Sequence, residues 1–128
     1  MKDISYWILL SVFEELRGNK RDIYRFGACL GVKIAEEISY QEISQDTLMH
    51  TLQSLTPTLE EYLQCCLQCA EENGEVRMHV KETSMLERAA EKVEIVAGAV
   101  SAAVERLRGK KVRVKTYAAK SLIVLSDK

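Results

Sequence analysis

Proline occurs once in 128 residues, phenylalanine twice and glycine six times. So little proline and glycine excludes collagenous chains, proline-rich linkers and low-complexity tracts. Neither sign of charge dominates, with 18 Lys and Arg against 19 Asp and Glu and a formal net charge of -1. No basic stripe or tail stands out, so a nucleic-acid partner is not expected. The longest apolar run, residues 4–13, is well short of the roughly 20 residues a bilayer-spanning helix needs. It also lacks the basic start and small-residue cleavage site of a signal peptide. The chain is therefore expected to be cytoplasmic and not membrane-spanning, with its four cysteines as reduced thiols. Phosphate-loop, dinucleotide-binding, zinc-protease and nucleophile-elbow motifs are all missing. His50 and His79 stand at no recognised spacing from a carboxylate or nucleophile. Adjacent glutamates such as Glu36 and Glu37 point in different directions on a helix. Catalysis and a bound cofactor are accordingly not expected.

What is present is 47% apolar and 29% charged residues. That is the composition of one globular domain, residues 1–128, able to bury its own core. Hydrophobic periodicity predicts helices over residues 4–17, 22–38, 45–55, 57–72 and 86–107, and strands over 75–82, 111–117 and 121–125. The fourth helix takes Thr56 as its N-cap and Pro57 at its first position, and Asn73-Gly74 ends it. In the second helix, Gly27 and Gly31 lie four apart on one face. Glycine costs about 1 kcal/mol relative to alanine in a helix interior, so another backbone is expected close against that face. The first helix carries Ile4, Trp7, Ile8, Leu10, Phe13 and Leu16 around most of its circumference. Such a helix needs cover on nearly all sides, which makes a subunit interface the expectation.

The stretch from Ile23 to Ile38, built around Gly27-Ala28-Cys29-Leu30-Gly31, and the stretch from Val96 through Gly109 to Val114 carry a family likeness. They resemble the second helix, and the long C-terminal helix turning into a strand, of the TRAPP-subunit and 4-vinyl reductase domain superfamily. Residues 74–80 are similar to the strand that superfamily places before the long helix. The resemblance implies an α+β fold with four to five helices packed on one side of a small antiparallel sheet. It also implies a non-catalytic binding and dimerisation module, either a scaffold subunit of a vesicle-tethering type of assembly or an apolar ligand-binding domain. The implied partners are a second copy of the chain, a related TRAPP-like subunit, or an apolar small molecule or acyl chain. Leu30, Ile34, Val96, Ala97 and Val100 are then the candidate ligand-lining residues, and Trp7, Ile8, Phe13, Gly27 and Gly31 the candidate interface. Two family features are absent: residues 39–55 hold no cysteine to acylate, and residues 115–121 hold none to bind zinc.

Cys65 and Cys69, four apart on a predicted helix, can reach a common ion, with Cys29 supplied from another helix. A cysteine-based metal or redox sensor is therefore the alternative reading, and apolar packing of these thiols the default. The basic run of Arg108, Lys110, Lys111, Arg113 and Lys115 has two readings as well. It is either a patch for phospholipid headgroups or an acidic partner, or the wet face of an edge strand.

Overall fold

Polar caps decide where two of the helices begin. The computed structural model describes residues 11, 15, 19–38, 47–63, 65–81 and 89–127. Asn19 Oδ1 accepts the Asp22 N–H at 3.1 Å and starts α1 (Lys20–Ile38). Thr47 Oγ1 accepts the His50 N–H at 3.1 Å and starts α2 (Leu48–Leu63). Strands β1 (Cys66–Glu72) and β2 (Glu75–Lys81) follow, then α3 (Ala89–Arg108), β3 (Val112–Tyr117), a 3-10 turn (Ala118–Lys120) and β4 (Leu122–Asp127). The strands form one antiparallel sheet in the order β1-β2-β4-β3. The class is thus α+β, with three helices among the described residues where four to five were expected. The helix predicted over residues 4–17 lies outside them, apart from Ser11 and Glu15, which are helical and exposed.

One stretch departs from the sequence reading. Thr56 and Pro57 open no helix, because α2 runs straight through them. Pro57 lacks an N–H to donate, and Thr56 Oγ1 donates to Leu52 O at 2.6 Å beside it. Leu52, Leu55 and Leu59 are fully buried on both sides of the proline, so burial overrides the local break. Residues 66–72 then form β1 rather than the end of a helix. Gln68, Ala70, Glu71 and Glu72 are not strand formers, but pairing along the whole of β2 decides the outcome. Asn73 and Gly74, with φ of 52° and 78°, make the two-residue hairpin turn that requires positive φ at both positions. They were expected to stop a helix.

The sheet order conceals a duplication. The segments α2-β1-β2 and α3-β3-β4 are the same α-β-β unit, with equivalent residues 45 positions apart. Buried Leu48, Leu52, Leu55 and Leu59 correspond to buried Val93, Ala97, Val100 and Val104. At the centre Met78 pairs with Ile123 and Val76 with Leu125, while the Val80 N–H donates to Ser121 O at 2.9 Å. Exchanging every residue for its equivalent maps this set onto itself, so a pseudo-twofold axis passes through the Met78 and Ile123 pair. The tie from helix to edge strand repeats too. Glu60 Oε2 accepts the Leu67 N–H at 2.9 Å, and Glu105 Oε2 accepts the Val112 N–H at 3.0 Å. Each carboxylate thereby occupies one donor on an edge strand.

Helix α1 stands outside the duplication and packs on α3. A Cβ on Gly27 would collide with the Ile95 carbonyl oxygen, and one on Gly31 with that of Ala99. Gly98 of α3 reciprocates, pressed on the Tyr24 carbonyl. The backbone that the two glycines approach therefore belongs to the same chain. At the positions equivalent to Gly98 and Ala99, α2 has exposed Gln53 and Ser54, so the first unit presents a wet outer side there.

Gly31→Ala should destabilise the fold by roughly 1–3 kcal/mol through overpacking, even though alanine is the better helix former. A thermal midpoint lowered by several degrees in circular dichroism is the expected result. An unchanged or raised midpoint would mean that the two backbones are not in contact.

Candidate functional site

Helices α2 and α3 cover one face of the sheet. Inward-facing Leu67, Val76, Met78, Val80, Val112, Ile123 and Leu125 are buried beneath them, and Thr116 Oγ1 donates to Glu94 Oε1 of α3 at 2.9 Å. The candidate ligand-lining residues join this interior. Ile34 from α1 and Val96, Ala97 and Val100 from α3 are buried, and Leu30 is half-buried against the same apolar cluster. Gly27 and Gly31 are buried in the seam with α3. Trp7, Ile8 and Phe13 lie outside the described residues.

The seam also carries a polar contact that sequence reasoning missed. Ser101 Oγ donates to Gly98 O at 3.2 Å, which uses its single hydrogen. Tyr24 O–H therefore donates to Ser101 Oγ, at 2.7 Å. The signal was available only as a serine inside an otherwise apolar helical stripe.

The thiols scatter. Cys29 is exposed on α1, Cys65 is buried just ahead of β1, and β1 carries exposed Cys66 and half-buried Cys69. The helical spacing that would have joined Cys65 to Cys69 is lost, because four residues of extended chain span about 13 Å. Among the described residues, no three His, Cys, Asp or Glu side chains gather as a metal site. Burial pushes the Cys69 thiol above its ordinary pKa, the hydrogen bond with Thr56 opposes this, and the charge of Glu60 adds to the rise. A thiol held protonated is a poor nucleophile.

The opposite sheet face is polar along β1, β2 and β3, apolar along the centre of β4, and unevenly charged. One cross-strand row reads Ala70, Arg77, Val124 and Lys115, and the next reads Gln68, His79, Leu122 and Tyr117. Leu122 and Val124 face outward yet are only 5% and 7% exposed. They sit on the central strand β4, with Arg77 and His79 on one side and Lys115 and Tyr117 on the other. Tyr117 is a large side chain left 45% exposed. Arg77 Nε lies 3.5 Å from Glu72 Oε2, shielded from water but not aligned for a hydrogen bond. Within the basic run, Arg108 is paired with Asp127 at 2.6 Å and so ties α3 to β4. Arg113 and Lys115 remain exposed on the edge strand β3.

Compared with known proteins, the chain matches no family model, no curated protein and no solved structure. Among the described residues, no helix is long and apolar enough to cross a membrane.

The exposures assign a reactivity order to the thiols. In the native state a small maleimide should label Cys29 and Cys66 quickly, half-buried Cys69 more slowly, and buried Cys65 only as fast as the fold opens. Peptide mass mapping over a time course reads this out, and rapid labelling of Cys65 would contradict its burial. Tyr24→Phe should cost roughly 0.5–1.5 kcal/mol in denaturant unfolding, the usual worth of one internal hydrogen bond.

Proposed function

We propose that this chain is a non-catalytic binding module that works as a subunit of a protein assembly, of the kind its resemblance to TRAPP subunits implies. The observation that carries the reading is the use made of polar side chains among the described residues. Glu60, Glu94, Glu105 and Asp127 each hold one element to another, and Tyr24 does the same through Ser101. They do not converge on a point where a substrate atom could react, whereas acid–base or nucleophilic chemistry needs its groups within hydrogen-bond reach of one another. The two histidines stand apart as well, on the outer side of α2 and on the outward face of β2. Support for assembly comes from composition. Residues 4–13 concentrate Ile4, Tyr6, Trp7, Ile8, Leu9, Leu10, Val12 and Phe13, an apolar run that needs cover on nearly all sides.

Light scattering at tens of micromolar should return a multiple of the 14.5 kDa chain mass, or purification from the native cell should retain a second chain in fixed ratio. A strict monomer that also purifies alone would end the assembly reading. Trp7→Glu should shift the mass towards the monomer while leaving the far-ultraviolet spectrum of the fold in place.

A further inference from the structure

The net charge of -1 does not describe the outer sheet face. Arg77, His79 and Lys81 are contributed by β2, and Arg113, Lys115 and Tyr117 by β3, stretches more than 30 residues apart in the chain. The register sets them on one side, separated by β4 alone. Of the six, Arg77 is half-buried and the other five are exposed. Acidic side chains on this face, Glu72 and Glu75, stand opposite each other at one end of β1 and β2, in a row that continues through Ser126 to Arg113. The rows that hold Arg77 and Lys115, and His79 and Tyr117, contain no carboxylate. Two planar rings thus occupy one row, about 10 Å apart across two strand spacings, and cations lie in the rows beside them.

We infer that this face binds single-stranded nucleic acid, with bases stacking on Tyr117 and His79 and phosphates meeting Lys81, Arg113 and Lys115. The charge complementarity calls for a polyanion, and the ring pair distinguishes which one. A flat face bearing exposed rings and cations lets bases lie against π-faces while the backbone runs over the charges. An acidic peptide has no bases to stack on the rings. Duplex is disfavoured, because its bases are already stacked and a flat sheet face cannot enter its grooves. The inference rests on register and exposure, not on the assembly reading, so the two fail separately.

Fluorescence anisotropy with labelled oligo(dT) and oligo(U) of about twelve nucleotides, within the span one such surface accommodates, tests it on the full chain. Binding should weaken roughly twenty- to fiftyfold between about 50 and 200 mM salt if three or four phosphates are contacted. Tyr117→Leu should weaken oligo(dT) binding roughly tenfold, the scale of one lost stacking contact. Arg113→Gln with Lys115→Gln should flatten the salt dependence, and Lys33→Gln on α1 should change neither. All the altered side chains are exposed, and a thermal melt checks that each variant keeps its fold. Absence of binding at the lower salt overturns the inference. So does polyglutamate competing as well as oligo(dT) while Tyr117→Leu binds as tightly as the parent, which would make the face a site for acidic protein.

Discussion

Two helix backbones in direct contact, with no side chain between them, set the geometry on which the remaining layers depend. Gly27 and Gly31 of α1 and Gly98 of α3 interlock at the crossing, and α3 in turn lies on the sheet through Val93, Ala97, Val100 and Val104. Helix α3 is therefore enclosed from two directions, which explains its composition of alanine, valine and glycine. Larger residues would have no room on the α1 side, and polar ones would be stranded on the sheet side. Ser101 is tolerated in this setting because its hydroxyl is satisfied within the helix and also receives Tyr24 from across the seam.

The fold was legible in the sequence where burial and local preference agree. Helix α1, most of α3 and strands β2, β3 and β4 fall near their expected places: the helices carry continuous apolar stripes, β2 and β3 alternate, and β4 is a short apolar run. It was illegible around residues 56–74, where Pro57 signals a break that the burial of Leu52, Leu55 and Leu59 overrides. There, too, a strand whose inward side reads Leu67, Cys69 and Glu71 shows no clear apolar alternation. Mistaking β1 for helix also turned the Asn73-Gly74 hairpin into a helix stop. The duplication was invisible for a different reason. Of the equivalent positions in the two α-β-β units, Glu60 and Glu105 alone carry the same residue. What repeats is the pattern of burial, which depends on the size and polarity of a side chain and hardly on its identity.

Site residues divide along the same line. The spacing of Gly27 and Gly31 does announce a close backbone, but a sequence cannot say whose, and here it is the chain's own. Leu30, Ile34, Val96, Ala97 and Val100 are brought together, though as part of an interior shared with α2 and the sheet. The cysteine cluster owed its apparent unity to a helical spacing that a strand does not provide. Cations on β2 and β3 are brought onto one face only by the interposition of β4, a consequence of strand order that no local pattern encodes.

The order of contacts along the chain gives the glycine seam a further significance. Each α-β-β unit is made of neighbours in sequence, so its loops are short and cheap to close. Helix α1 meets α3 only after a loop of roughly seventy residues, from Gly27 to Ile95, has been drawn shut, at an entropic cost of about 4 kcal/mol. The element whose attachment is least favoured by chain statistics is thus fastened by the contact least tolerant of one added methyl group.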